Sequence, residues 1–574
     1  MTSIRGADVL VETLIRAGAR DVFGLPGDTG VAFYDALFSR ANEITHVLAR
    51  DERHAAFMAD AYARTANRVG VVEVSSGGGV AYVIGGLGEA FAASVPIVVI
   101  TSDIHSSSRG TGALTEIDQA AMFAGCTKTQ IRVANVHDLP GAVRTAFITA
   151  RSGRPAPVVV IIPEDVLDAH MEYSAEREAP ESDSGLPAMR RPANTDAVRQ
   201  ATEILANAER PVILAGSGVH MSAAWDALEE FAKHMAIPVA TTIQGKGALA
   251  ETHPLALGVA GNNGGWQVAN DWLASADVAV LVGTRANATD TSSWTAPDRR
   301  ARVIQIDISE ERAGRNYPSS SALVGDAAAV LEQLTENTPG ASEGSYIART
   351  RQLAQARAAW EEAQSGPIDV APGEVLPRDA IRALARQASA DVTVIVDPGT
   401  PTPNAAAYWV LDRAGRSVIA PRGHGPMGYA IPASVGVSFA RPGRPVVALT
   451  ADGGFAMCCG ELETVSRYQL PVLFVQFTNN SFGWIKMLQH LYFGARYFGV
   501  DPGTIDAVSV AKACRLDAVS LTTVDELEKV AADFFDRPRP LYVDIKVPHL
   551  IDVTPPVGAW SQALAGRSAE RPVY

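Results

Sequence analysis

Val446 to Gly460 reads VVALTADGGFAMCCG. An apolar run stops on Asp452, and two glycines follow at once. Short Val/Ile/Leu runs of the same kind recur along the chain. They include PIVVITSD from Pro96, APVVVIIPED from Ala156, RPVILAGSG from Arg210, ADVAVLVGTR from Ala276, ARVIQIDIS from Ala301, DVTVIVDPGT from Asp391 and LPVLFVQFTNN from Leu470. Amphipathic helical stretches separate them. Near-continuous apolar strands alternating with helices predict parallel sheets covered on both faces. The fold class expected is therefore α/β, with three doubly wound, Rossmann-like parallel-sheet domains. Two polar stretches, Ser174 to Ala193 and Thr335 to Ser345, read as linkers. They predict domains at residues 1–180, 190–338 and 370–555. The likeness of PIVVITSD to PVVALTAD suits first and last domains of one architecture.

The 574 residues carry 49 basic and 63 acidic side chains, a net charge of -14, which argues against a nucleic-acid partner. Cys126, Cys458, Cys459 and Cys514 have no metal-ligand spacing, and so few cysteines predict a reduced, cytoplasmic protein. The first 18 residues read as a charged amphipathic helix rather than a secretion signal, and no window is long and apolar enough to cross a membrane.

Ligands of doubly wound sheets bind beyond the carboxyl ends of the strands, where Asp452 stands. The next strand ends on Asn479 and Asn480. A carboxylate and a carboxamide at one sheet edge suit Mg²⁺, which is held by one or two carboxylates together with phosphate oxygens. Bare backbone at Gly453 and Gly454 would let phosphate approach the amides. The simpler alternative is an aspartate that caps the following helix, with a turn glycine behind it.

Asp452-Gly453 followed by a 25-residue spacer and Asn479-Asn480 resembles the signature of the thiamine diphosphate enzymes of the acetolactate synthase, pyruvate decarboxylase and benzaldehyde lyase type. Ala451 replaces that signature's first glycine. Further segments resemble the family in order: GADVLVETLIRAGARDVFGLPG, ARDERHAAFMADAYAR, IPVATTIQGKGALAETHPLALGVAG, IDISEERAGRNYP and RGHGPMGYAIPASVG. The pattern is nearest to acetolactate synthase large subunits.

The resemblance implies thiamine diphosphate and Mg²⁺ as cofactors, with FAD possible in the central domain. Glu52 matches the catalytic glutamate that exchanges a proton with the cofactor's pyrimidine, a task suited to a partly buried carboxyl. Met427 matches the wedge between the cofactor rings, with Gly425 and Met427 offering carbonyls and His424 just before them. Asp452, Asn480 and the Phe482 carbonyl would be the metal ligands, with Gly453 and Gly454 beside the diphosphate. Gly399 and Thr400 would contact phosphate, with Thr400 as a plain turn residue the alternative. Arg285 could contact a nucleotide or be a solvated loop arginine. Thr115 stands where relatives carry a glutamine facing the substrate. His105 is either an acid–base group or a hydrogen-bonded spectator, and the same pair of readings applies to His424. Ile485 and Met487 are candidates for the substrate wall or for helix packing.

The implied reaction is decarboxylation of a 2-oxo acid, pyruvate by default, and ligation of the remaining carbanion equivalent to a second carbonyl. A non-ligating decarboxylase, an acyloin C–C lyase and, from another class, a nucleotide-binding oxidoreductase are the alternatives. The implied assembly is a homodimer or a homotetramer built as a dimer of dimers, with active sites shared between subunits.

Overall fold

The computed structural model describes residues 2–173, 184–318, 320–566 and 571. Part of the expected linker from Ser174 lies outside them. Three six-stranded parallel sheets account for the architecture. The first runs, edge to edge, Thr45–Leu48, Asp21–Leu25, Gly70–Val74, Ile97–Asp103, Val158–Pro163 and Thr129–Arg132. Numbered along the chain, that order is 2-1-3-4-6-5. The last sheet has the same order, from Val418–Ile419 through Thr393–Val396, Val446–Ala451, Val472–Thr478 and Leu541–Lys546 to Asp517–Leu521. The central sheet is wired differently, 3-2-1-4-5-6, with Pro211–Ala215 beside Val278–Val282.

First and last domains thus share one architecture, but through other strands than the likeness of PIVVITSD and PVVALTAD suggests. Ile97–Asp103 is fourth in its sheet and Val446–Ala451 third. The true counterpart of Val446–Ala451 is Gly70–Val74, which also runs into glycines, Gly77 to Gly79, at a helix start.

The inner strands are buried along their whole length because β-branched side chains fill both faces. The amphipathic N-terminal stretch forms the helix Gly6–Arg16, after a short strand Thr2–Arg5 that pairs antiparallel with His170–Tyr173. First and last domains meet through two alanine-rich helices, Glu52–Ala66 and Ala430–Ala440. Gly436 sits against the Met58 carbonyl, where any Cβ would overlap it. In the second expected linker, Ser342 caps a 22-residue helix, Glu343–Gln364, that buries only Leu353 and Trp360. Trp360 stacks on Trp266 at 4.9 Å and on Tyr408 at 6.1 Å, bridging central and last domains. Buried Lys246 adds a second bridge, pairing with Glu251 at 2.5 Å and donating to the Ala406 carbonyl. Among the described residues, no helix is long and apolar enough to cross a membrane.

Candidate active site

In a doubly wound sheet the loops after two neighbouring strands part where the strand order reverses, and a crevice opens there. In the last domain those strands are Thr393–Val396 and Val446–Ala451. A cavity of about 830 Å³ lies at this point. Pro398, Gly399 and Thr400 line it from one loop and Asp452 and Gly453 from the other, with Gly425, Met427, Asn479 and Phe482 around them.

Asp452 opens the helix Asp452–Cys458 without capping it. Its Oδ1 accepts from the Gly453 amide at 2.8 Å. Its Oδ2 accepts from the amides of Asn479, at 3.0 Å, and Asn480, at 2.6 Å. The carboxylate is therefore fixed to the end of the next strand, and the helix-cap alternative does not describe it. Burial pushes its pKa up, against these amides, which favour the charged form.

Asn480 has φ 52°, a left-handed conformation that asparagine tolerates, and it is exposed and absent from the cavity lining. Asn479 lines the cavity, as do Ser481 and Phe482. Both asparagines are tied to Asp452 through their backbone amides.

The glycines are bare for reasons of packing. A Cβ on Gly453 would stand 2.9 Å from both Met427 Cε and Phe482 Cε1. On Gly454, which is buried away from the cavity, it would overlap the Asp397 carboxylate. Asp397 accepts from the Tyr429 and Ala430 amides at 2.8 and 2.9 Å and from Thr450 Oγ1 at 2.9 Å. It anchors the start of the helix Ala430–Ala440, and burial lifts its pKa to about 6. Gly399, at φ 102°, faces open space, and Thr400 is buried at the start of Pro401–Tyr408. His424 lines the cavity with Nδ1 3.4 Å from Glu89.

Other expected residues fall elsewhere. Ile485 is half exposed and lines the cavity, but Met487 is fully buried with Leu488, Leu550, Val557 and Trp560 and is a packing residue. His105 is exposed and bonds Ser107 two residues on, and it does not line the cavity around Asp452. Arg285 is partly buried, lines both this cavity and a second one in the central domain, and donates to the carbonyls of Ala92, Arg422 and Gly423.

Glu52 begins the helix Glu52–Ala66, where Asp51 accepts from the Arg53 amide. It is nearly buried, and burial raises its pKa, with Asp51 acting in the same direction. It does not line the cavity around Asp452. Its surroundings belong to the first domain's own crevice: a Cβ on Gly79 would lie 3.4 Å from Glu52 Oε1. Thr115, at φ 68°, ends a chain of hydroxyls there, 2.7 Å from Ser76, which is 3.1 Å from Thr29, itself 2.8 Å from Ser102.

Glu73 went unnoticed in the sequence, although an acid inside the apolar run GVVEV is a visible signal. It is 1% exposed and hydrogen-bonded by the Tyr34 hydroxyl, which also meets His46 Nε2 at 3.1 Å. Burial pushes the Glu73 pKa to about 8, and that of His46 down to about 4. Glu73 is thus a neutral acid at pH 7 beside a neutral imidazole.

A second cavity, about 710 Å³, opens at the order reversal of the central sheet, between the loops of Gly218 and Thr284. Asp307, at the end of Arg302–Asp307, lines it with Arg154 and Arg312.

The residues around Asp452 fit a metal-bound diphosphate: one fixed carboxylate, a carboxamide, backbone oxygens and open space at Gly399. Comparisons with known proteins agree. Residues 4–122, 198–334 and 397–545 match the N-terminal TPP binding, central and C-terminal TPP binding domains of thiamine pyrophosphate enzymes. Acetolactate synthase isozyme 3 large subunit of Escherichia coli is 32% identical over 95% of this chain and 95% of its own length. The isozyme 2 large subunit of the same organism is 31% identical over 97% and 98%. The acetolactate synthase large subunit of Haemophilus influenzae is 30% identical over 95% of each chain. With its strand-end carboxylate, its paired crevices and this likeness along nearly the whole length, the chain belongs to the thiamine pyrophosphate enzymes of the acetolactate synthase large-subunit family.

Proposed function

We propose that the protein decarboxylates a 2-oxo acid, with pyruvate the default donor, and joins the remaining acyl unit to a second carbonyl compound, as an acetolactate synthase does. The observation that carries this reading is the Asp452 carboxylate, tied by backbone amides to Asn479 and Asn480 in a cavity at the sheet's order reversal. Thiamine diphosphate, when bound, supplies a carbanion-stabilising electron sink.

The chain's residues do the rest. Asp452, the Asn480 carboxamide and the Phe482 backbone carbonyl would hold Mg²⁺. Gly399 and Thr400 approach the phosphates. Met427, whose Cε lies against Gly453, would support the bound cofactor from the cavity wall. Glu52 would exchange a proton with the pyrimidine, and the burial that raises its pKa suits a carboxyl in that role.

Because Glu52 lies outside the Asp452 cavity, the working site takes Glu52 from a second copy, in a homodimer or a dimer of dimers. Thr115 then faces the reacting carbon from the same second copy. The central cavity takes an adenine nucleotide, FAD or ADP, with Asp307 at the ribose and the arginines at phosphate. A cytoplasmic location agrees with four unpaired cysteines.

Calorimetric titration of thiamine diphosphate with Mg²⁺ into the wild type and Asp452→Ala tests the site. The variant's affinity should fall at least tenfold; equal affinities would refute the assignment. Product analysis with pyruvate separates outcomes. Acetolactate supports ligation, whereas acetaldehyde with CO₂ supports the simple decarboxylase.

A further inference from the structure

The segment Arg422–Gly425 leads into the turn whose Gly425 and Met427 carbonyls the proposed function gives to the cofactor. Its backbone groups bond to residues of the first and central domains. Glu89, on the first-domain helix Gly78–Ala93, is fully buried. One oxygen accepts from the Gly423 amide at 2.8 Å and the other from the His424 and Gly425 amides at 2.8 and 3.2 Å. Three consecutive amides thus converge on one carboxylate, the way a backbone nest holds an anion.

Arg64 steadies that carboxylate at 3.0 Å and is itself forked onto Asp60 at 2.8 and 3.1 Å. Asp60 in turn accepts from Tyr429, on the far side of the turn, at 2.6 Å. The carbonyls of the same segment are held as well. Arg285 of the central domain donates to Arg422 and Gly423 at 2.8 and 3.1 Å.

We infer that Glu89, with Arg285, is a positioning residue that sets the cofactor-binding turn, gripping the amides from the first domain and the carbonyls from the central one. Burial alone would raise the Glu89 pKa, but His424, the Arg64 charge and the amides outweigh it and hold it at about 2. The anion is therefore permanent under working conditions. Each first domain then serves two sites: Glu89 shapes the turn of its own chain, and Glu52 acts in the site of its neighbour. The inference rests on the proposed thiamine diphosphate site.

Glu89→Gln keeps the size but turns an amide NH₂ toward donors. Two readouts distinguish positioning from mere stability. In cofactor-free protein, hydrogen exchange of the amides at 423–425 should accelerate at least tenfold. The Kd for thiamine diphosphate with Mg²⁺ should rise at least tenfold. Glu251→Gln, which removes a buried carboxylate that does not line the cavity, should lower the melting temperature and leave that Kd unchanged. Should Glu89→Gln fail to fold, Arg285→Met, which releases the carbonyl side, carries the same expectation. Unchanged Kd with wild-type exchange, or equal weakening by Glu251→Gln, would overturn the inference. The wild-type titration separates the two levels: no binding there sinks the cofactor site itself, whereas normal wild-type binding with unaltered variants sinks only the clamp.

Discussion

Glu73→Gln gives a test whose size and sign both come from the structure. Glu73 is buried, with the Tyr34 hydroxyl as its hydrogen-bond partner, and its pKa stands at about 8 against an ordinary 4.5. The folded protein therefore holds a proton there that the unfolded chain gives up at lower pH. A raised acid pKa makes its stability contribution full below pH 4.5 and lost progressively as pH rises to 8. At about 1.4 kcal/mol per pH unit, the loss reaches about 3 kcal/mol by pH 7 and about 4 kcal/mol by pH 8. Glutamine carries no such proton and keeps an acceptor for Tyr34. The variant should match the wild type near pH 5 and gain on it steadily up to pH 8. Native-state hydrogen exchange of the Gly70–Val74 amides, measured for both proteins at each pH, reads this difference within the first domain. A difference that stays flat from pH 5 to pH 8, or shrinks, would refute the account of Glu73 as a buried neutral acid.

Glu52→Gln should leave the fold and thiamine diphosphate affinity near wild type while turnover falls about 100-fold or more, because the carboxyl's proton exchange is removed; steady-state kinetics and calorimetry on one preparation check this. Mixing Glu52→Gln with Asp452→Ala protein under subunit exchange should restore activity, since some sites receive both intact halves; inactivity despite proven exchange would contradict a shared site. Gly454→Ala should destabilise the last domain by about 1–3 kcal/mol through overlap with Asp397, and Asp397→Ala in the same chain should relieve part of that penalty, as chemical unfolding would show.

Much of this was legible in the sequence. Strands rich in valine and isoleucine declare themselves because both faces of a parallel sheet are buried, and Asp452 stood out because a charge ended such a run. Finer assignments depended on backbone geometry that spacing does not encode. Asn480 stands in a left-handed turn and is exposed while Asn479 lines the cavity, and a paired motif does not encode such backbone detail. Ile485 and Met487 lie two positions apart on a helix, about 200° around its axis, so only one could face the cavity. That argument was open to the sequence alone. Arg285 was not, since its three carbonyl partners come from two other domains. The same holds for Gly454, whose neighbour Asp397 is distant in the chain.

The identical strand order of the first and last sheets has a consequence for biosynthesis. Two sheets with one wiring diagram and similar apolar strands could trade partners in a half-folded chain. The last strand of the first sheet ends at Pro163 and the last sheet begins at Thr393, about 230 residues later. At a synthesis rate of roughly 5–20 residues per second, the first domain has about 10–45 s to close before its twin leaves the ribosome. The central domain, wired in a different order, thus works as a timer that keeps the twins from meeting unfolded.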